Sequence, residues 1–207
     1  MRSVVSMKAT LNAARGVSNQ KFLLLFGPSG VGKSAIIREL RQLDSRFAYI
    51  SPFMTRALRS GETDKVSVSN TVLDELNNQE KILAINELYG VRYATPREPI
   101  EKAFVENCFP LLDWPVQKVQ IMLTAFPGKT FKVYVEPPDV VAIERHLEDG
   151  RDPGRSRYTA ALNELEAYYQ GGYDNVVDWS IVNSEFEVRK TAEKIYEMYL
   201  TVIGERQ

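Results

Sequence analysis

The sequence predicts an α/β fold with a central parallel β-sheet, and three observations support that prediction. Apolar runs of strand length alternate along the chain with segments whose apolar residues recur at helical spacing. The first such pair, Phe22–Phe26 and Ser34–Leu43, is joined by a glycine-rich loop. A chain of 207 residues, 44% hydrophobic and 26% charged, is long enough to bury one sizeable core. We therefore expect one globular unit with small subdomains.

The loop between the first strand and the first helix has the pattern of a phosphate-binding loop. Its eight residues fit G-x-x-x-x-G-K-[ST] at every specified position. The glycines allow backbone N–H groups and the helix N-terminus to point at phosphates. Lys33 is expected to bridge the β- and γ-phosphates of ATP, and the Ser34 hydroxyl to bind Mg²⁺, which prefers oxygen ligands. The predicted nucleotide-binding residues are Gly27, Pro28, Ser29, Gly30, Val31, Gly32, Lys33 and Ser34.

A second strand and a small insert follow the first helix. Phe47–Ser51 reads as a short strand, and residues 52–62 form a loop that carries Arg56 and Arg59. A short helix over 70–76 is expected to be capped by its first residue or by the serine before it. Beyond it, two apolar segments flank a Tyr-Gly turn and predict a hairpin. The hairpin strands are residues 81–88 and 91–94.

The next strand ends in a carboxylate. An amphipathic helix over 97–107 leads into the apolar run Cys108–Asp113. In open parallel sheets, ligands bind at the carboxyl ends of the strands, so Asp113 is predicted to lie in the site. Cys108 is the only cysteine. It cannot form an internal disulfide, and we expect it to be a small core residue at the start of the strand.

The last hundred residues continue the βα alternation, with one interruption. Residues 148–157 contain a dense run of glycine, proline and arginine, which predicts a mobile lid. The flanking predicted elements are helices over 116–125, 139–147, 158–169 and 185–203 and strands over 130–135 and 179–182.

Composition argues against several classes of partner. Acidic and basic residues nearly balance, at 27 and 26, which disfavours a nucleic-acid-coating protein or a polybasic membrane binder. No apolar stretch approaches the ~20 residues that span a bilayer. We therefore predict no nucleic acid, no membrane and a cytoplasmic location. Residues 1–20 lack acidic residues, as organelle transit peptides do, although we favour a loose N-terminal extension.

Taken together, the phosphate-binding loop, the two-arginine loop, the small insert, the strand ending in aspartate and the arginine-rich lid resemble the guanylate kinase family. The resemblance extends over residues 21–203. It implies a three-layer P-loop NTPase fold with a central parallel sheet, a small αβ acceptor-binding insert and a mobile lid. It also implies transfer of the ATP γ-phosphoryl group to GMP with Mg²⁺ as cofactor. The implied division is an extension (1–20), a core (21–51, 97–147 and 158–207), the acceptor-binding insert (52–96) and the lid (148–157).

The resemblance also implies roles for individual residues. The family's S-x-T-T-R-x-x-R-x-G-E segment matches residues 52–62, so Arg56 and Arg59 would bind the acceptor phosphate. Guanidinium groups suit this task because they stay charged and can bind phosphate oxygens with two hydrogen bonds. Tyr93 would contact the same phosphate and Thr95 would approach the base, and Asp113 matches a carboxylate of the acceptor or metal region.

The lid arginines would act on the phosphoryl group in transfer. Arg151 and Arg157 fall where the family supplies arginines to the transferring phosphates, and Arg155 is an alternative to either. Together with Lys33 and Mg²⁺ they would stabilise the negative charge that spreads over the equatorial oxygens. No covalent enzyme intermediate is needed.

Two of the family's guanine-reading positions are changed. Pro52 replaces a serine that reads guanine, and Ala84 replaces a glutamate that accepts hydrogen bonds from guanine. In addition, Lys65 aligns with a tyrosine of the family. Glu87 is a candidate for a displaced base reader. A nucleoside monophosphate, GMP or dGMP first, is the leading acceptor. The alternatives are a ribose 1,5-bisphosphate kinase and a non-catalytic module that binds a phosphorylated protein. The chain is expected to be a monomer or a homodimer.

Overall fold

The computed structural model describes residues 19–58, 61–88, 90–147, 154–184 and 187–205. Most of the predicted N-terminal extension and of the predicted lid lie outside these residues. The strands are β1 (Phe22–Phe26), β2 (Phe47–Tyr49), β3 (Phe53–Met54), β4 (Val66–Ser67), β5 (Ile82–Leu88), β6 (Val91–Pro96), β7 (Phe109–Asp113), β8 (Thr130–Glu136) and β9 (Trp179–Val182). The α-helices are α1 (Lys33–Leu43), α2 (Asn70–Asn78), α3 (Glu98–Val105), α4 (Val119–Ala125), α5 (Val140–Leu147), α6 (Ser156–Tyr169) and α7 (Val188–Ile203).

The central sheet is parallel and has the strand order β2-β7-β1-β8-β9. All five residues of β1 are buried, as expected for a strand covered on both faces. Leu25 of β1 lies beside Asp113 of β7. The carboxyl ends of these two strands therefore meet, and the phosphate-binding loop emerges next to the aspartate.

The two faces of the sheet form separate cores, which gives a three-layer α/β/α arrangement. Leu23 and Leu25 belong to one cluster, which includes residues of α1 and α7. Phe22, Leu24 and Phe26 point the other way, into a cluster that includes residues of α4 and α6. This alternation follows from the two-residue period of a strand. The predicted fold class is confirmed.

A second, four-stranded sheet has the order β4-β3-β6-β5. The strands β5 and β6 form an antiparallel hairpin, and β3 pairs antiparallel with β6. Helix α2 contributes Leu73 to a small cluster with Ile82 and Ala94 on one face of this sheet. The other face contributes Ala84 to the cluster that contains Phe22, Leu24 and Phe26. The small sheet therefore packs against the same face of the central sheet as Phe22, Leu24 and Phe26.

Local differences from the sequence prediction are informative. The strands β3 and β4 have two residues each. The first lies in the segment predicted as a loop and the second where no element was predicted, because strands this short show no alternation. The α2 cap is Ser69, whose Oγ accepts a hydrogen bond from the Val72 N–H at 3.2 Å. Helix α6 begins at Ser156, two residues before its predicted start. Cys108 is partly exposed before β7, so its assignment to the core is wrong. Within the described ranges, no helix combines the length and apolarity that crossing a membrane requires.

Candidate active site

The phosphate-binding loop uses backbone conformations and close approaches that favour glycine. Gly27, Gly30 and Gly32 have φ angles of 129°, 88° and 94°. A Cβ on Gly27 would lie 2.4 Å from the Val135 carbonyl oxygen, and one on Gly32 would lie 2.6 Å from Asn183 Nδ2. Both distances are far below van der Waals contact. The end of β8 and the residue after β9 therefore fit closely around this loop.

Lys33 folds back over the loop that it follows. Its Nζ donates hydrogen bonds to the carbonyl oxygens of Gly27 and Pro28, the latter at 2.9 Å. Ser34 is exposed at the start of α1, with its hydroxyl available at the positive end of the helix. The ammonium group and the hydroxyl thus flank a backbone cradle suited to phosphates.

Three charged side chains from two other elements act on Lys33. Burial lowers the pKa of Lys33, the negative charges of Glu164 and Asp113 oppose that change, and the positive charge of Arg157 reinforces it. Asp113 comes from the end of β7, and both Arg157 and Glu164 come from α6. The predicted residues Lys33, Asp113 and Arg157 are therefore brought into one electrostatic environment.

Asp113 connects this centre to the small sheet. The Tyr49 hydroxyl donates a hydrogen bond to Asp113 Oδ1 at 3.0 Å, which orients the carboxylate. Burial raises the pKa of Tyr49, as do the charges of Asp113, Asp64 and Glu62. Glu62 is the last residue of the arginine loop, and Asp64 follows it directly. The carboxylates of this loop region and of the β7 strand end therefore act on one hydroxyl group.

Arg56 is held in place by a carboxylate in the described structure. Its Nη1 and Nη2 each donate to Glu62 at 2.7 Å, and Nη1 also donates to the Ala57 carbonyl oxygen at 2.8 Å. Hydrogen bonding to Glu62 raises the pKa of Arg56, burial opposes it, and hydrogen bonding to Tyr93 adds to the rise. The buried Nε has no hydrogen-bond partner among the residues that are described. Lys65 lies 3.5 Å from Glu62 and adds positive charge here.

The hairpin presents a polar face beside Arg56. Asn86 lies opposite Tyr93, and Ala84 lies opposite Thr95, so these four side chains share one face of the small sheet. Asn86 and Thr95 are only 6% and 4% exposed. Glu87 points to the other face and is exposed. The structure therefore gives no support to Glu87 as a displaced base reader.

The described end of the lid leads directly into α6. Arg155 forms an ion pair with Glu144 at 2.6 Å and lies over the Tyr158 ring at 4.4 Å. These contacts hold it at α5 and α6, whereas Arg157 acts on Lys33. Arg151 lies outside the described residues.

Glu164 is fixed by hydroxyl and amide donors. It accepts hydrogen bonds from the Tyr134 hydroxyl at 3.4 Å and from Gln117 Nε2 at 3.5 Å. Tyr134 stacks on Tyr168 with ring centroids 4.0 Å apart, and Tyr168 donates to Glu136 at 3.0 Å. This aromatic pair attaches α6 to β8 and so sets the position of Glu164 near the phosphate-binding loop.

Comparison with known proteins identifies the family. A family model described as guanylate kinase matches residues 19–199. The chain belongs to the guanylate kinase family. A guanylate kinase of Trichormus variabilis is 27% identical over 202 residues, covering 94% of this chain and 98% of that protein. One from Bacillus cereus is 31% identical over 164 residues, covering 75% and 78% of the two chains.

The fold comparison agrees with this family assignment. The crystal structure of a guanylate kinase from Anaplasma phagocytophilum superposes with a TM-score of 0.69 at 20% identity. It covers 88% of this chain and 85% of its own. At that identity the superposition supports the fold alone.

The predicted site residues fall into three groups. Lys33, Asp113 and Arg157 meet around the phosphate-binding loop. Arg56 and Tyr93 interact on the small sheet, with Thr95 on the same face as Tyr93. Arg59 and Arg151 lie outside the described residues. The roles of all of these residues stay predictions.

Sequence reasoning missed several residues that contact or surround the predicted site residues. Tyr49 and Asn183 lie at or just beyond the carboxyl ends of β2 and β9, so the strand-end rule that selected Asp113 applied to them as well. Glu164 lies seven residues after Arg157 in α6, a spacing that places both side chains on one helix face. The sequence contains no pattern that predicts the hydrogen bond between Glu62 and Arg56 or the pairing of Asn86 with Tyr93. The first depends on the loop conformation and the second on the register of the hairpin.

Proposed function

We propose that this chain is an ATP- and Mg²⁺-dependent kinase that phosphorylates a nucleoside monophosphate, with GMP or dGMP as the first acceptor to test. Membership of the guanylate kinase family supports the reaction. The observation that carries the proposal is Lys33, held in an intact phosphate-binding loop within the fields of Glu164, Asp113 and Arg157. A non-catalytic binding module has no need of that arrangement.

On the donor side, the loop N–H groups and Lys33 would hold the β- and γ-phosphates. Ser34 would supply one oxygen to Mg²⁺, and the chain's oxygen donors here, a hydroxyl and carboxylates, fit a hard cation. When bound, the ion neutralises developing charge on the phosphates. Arg157 and Arg151 would stabilise the transferring group electrostatically.

On the acceptor side, Arg56 and Arg59 would bind the acceptor phosphate with Tyr93. The guanidinium of Arg56 is already oriented by two hydrogen bonds from its Nη atoms to Glu62, so little side-chain entropy is lost on binding. Thr95 would approach the base. Asp113, oriented by a tyrosine hydroxyl, would act between the acceptor and donor sides.

A sugar-phosphate acceptor is the second candidate, and Ala84 is the observation that favours it. This position carries a base-reading glutamate in the family, and here it is a buried methyl group in the main core. A site with no carboxylate at this point loses one means of selecting guanine. Ribose 1,5-bisphosphate is therefore included among the acceptors.

The test is ADP release from Mg-ATP with GMP, dGMP, AMP, CMP, UMP, dTMP and ribose 1,5-bisphosphate. We expect turnover with a nucleoside monophosphate and a loss of roughly 10²-fold or more for Lys33→Ala. Lys102→Ala is the matched control, because that side chain is 66% exposed on α3, and it should behave as the wild type. Turnover unchanged in Lys33→Ala, or seen only with the sugar phosphate, would contradict the proposal.

We also propose the division into a core, an acceptor-binding insert over 52–96 and a lid over 148–157. The cytoplasmic location and the monomeric or homodimeric state stay predictions from the sequence.

A further inference from the structure

A buried amide on the acceptor side has an unused acceptor atom. Asn86 is 6% exposed, and its Oδ1 is buried with no hydrogen-bond partner among the residues that the structure describes. Leaving a buried polar atom unpaired is costly, and native proteins rarely do so without a reason. A bound ligand that donates to this oxygen would remove that cost.

The register of the small sheet places Asn86 on the face that carries the acceptor-phosphate residues. Its cross-strand partner is Tyr93, which interacts with Arg56. The next side chain on the same face is Ala84, the position of the missing carboxylate. Ile85 points the other way and packs beneath α2. Asn86 is therefore the next residue after Ala84, the family's base-reading position, on the same face of the small sheet.

The segment that leaves β7 supplies a second unpaired polar atom to this region. Trp114 directly follows Asp113 and packs in the same cluster as Ala84. Its indole Nε1 is buried and, in the described part of the chain, also lacks a hydrogen-bond partner. This region thus contains one unpaired carbonyl-type acceptor, Asn86 Oδ1, and one unpaired N–H donor, Trp114 Nε1, and the position of the family's carboxylate holds a methyl group.

We propose that Asn86 reads the base of the acceptor nucleotide in place of the carboxylate missing at position 84. This inference rests on the proposed function. A carboxylate only accepts hydrogen bonds, so it suits two adjacent donors, the N1–H and 2-amino groups of guanine. An amide supplies one acceptor and one donor, so it suits a donor beside an acceptor, the N1–H and O6 of a 6-oxopurine.

The exchange changes the acceptor class that the site selects. Hypoxanthine shares N1–H and O6 with guanine and lacks only the 2-amino group. The site therefore accepts 6-oxopurine nucleoside monophosphates with little regard to the 2-amino group. GMP and IMP should bind within about threefold of each other, and both at least about tenfold more tightly than ribose 5-phosphate, which has no base.

The test is isothermal titration of GMP, IMP and ribose 5-phosphate into the full chain, without turnover. Asn86→Ala should weaken GMP and IMP binding by about tenfold and leave ribose 5-phosphate within about twofold. Asn86→Asp should restore two acceptor oxygens and favour GMP over IMP by about tenfold. Glu87→Gln is the matched control, exposed on the opposite face of the same strand, and should bind all three ligands as the wild type does.

A stability measurement distinguishes loss of base binding from loss of folding in the Asn86 variants. Asn86→Leu removes the unpaired buried oxygen at similar side-chain volume, so its urea midpoint should equal or exceed that of the wild type while base selection is lost. Equal binding of GMP and ribose 5-phosphate by the wild type would overturn the proposal, as would unchanged GMP binding in folded Asn86→Ala. Because binding is measured directly, base reading by Asn86 can hold even if the turnover assay rejects the proposed kinase.

Discussion

Substitutions of two loop glycines should have different costs, because the obstacles to an added methyl group differ. At Gly32 the new Cβ would lie 2.6 Å from the side-chain nitrogen of Asn183, which can be truncated. At Gly27 it would lie 2.4 Å from the backbone oxygen of Val135, which cannot. The same Asn183 nitrogen donates to the Val31 carbonyl oxygen at 2.9 Å, so displacing it breaks a buried hydrogen bond.

The magnitudes follow from these contacts. Alanine at Gly32, where φ is 94°, adds a left-handed backbone cost of roughly 1–2 kcal/mol. Breaking the hydrogen bond from Asn183 to Val31 leaves the Val31 carbonyl oxygen unpaired, which costs about 1–3 kcal/mol. Gly32→Ala incurs both costs, and Asn183→Ala incurs the second alone. The double variant also incurs each cost once, so it should be no less stable than Gly32→Ala.

Urea unfolding followed by circular dichroism measures all three variants and gives the coupling free energy. Gly27→Ala is the matched control. It should be less stable than Gly32→Ala, and its cost should add to that of Asn183→Ala. Additive free energies for Gly32→Ala and Asn183→Ala would refute the reasoning, since they would mean that the two side chains never compete for space.

Three further predictions concern charge. Burial lowers the pKa of Lys33, and phosphate binding needs its charged form, so ATP affinity measured by titration calorimetry should fall on raising the pH from about 7 to 10. Lys33→Arg should flatten that dependence. Burial raises the pKa of Asp44, but hydrogen bonds from Arg46 and Tyr196 outweigh it, and the net pKa lies below its ordinary value of 3.8. The stabilisation by this carboxylate is therefore present above that value and lost as the pH falls through the folded-state pKa, so the urea midpoints of Asp44→Asn and the wild type should converge in acid. Arg56→Lys loses the two-point contact of a guanidinium, so it should raise the KM for the acceptor by about tenfold with ATP affinity unchanged.

The sequence was sufficient for the parts of the fold that repeat a local signal. Strand β1 is an unbroken apolar run, α1 shows helical periodicity, and the motif between them fixes the loop. The strands β3 and β4 could not be found in this way, because pairing with β6 and with each other defines them. Their residues carry no alternation that a window of sequence can detect.

The assignment of β5 side chains to the two faces of the small sheet is a second feature that the sequence alone does not predict. A register shift between Ile82 and Ala84 interrupts the two-residue alternation, so these residues contribute to different clusters although they are two apart. A regular alternation would put Ile82 and Ala84 on one face, and it would then assign Asn86 to the face that Ile82 occupies. The environment of Asn86 therefore became visible only with the register of the hairpin.

The charges around Lys33 also explain why motif reading captured the donor site only in part. The motif identifies Lys33 but not the carboxylates near it. Asp113 of β7 and Glu164 of α6 are both far from Lys33 in the sequence. With Arg157 and Lys33 they form a set whose formal charges cancel, so the loop can keep a partly buried ammonium group without excess positive charge. The arginine loop has a similar arrangement, where Glu62 offsets Arg56. If the proposed roles hold, the cations of both predicted phosphate sites are oriented before any phosphate binds, Lys33 by backbone carbonyl oxygens and Arg56 by Glu62, which is the preorganisation that electrostatic catalysis requires.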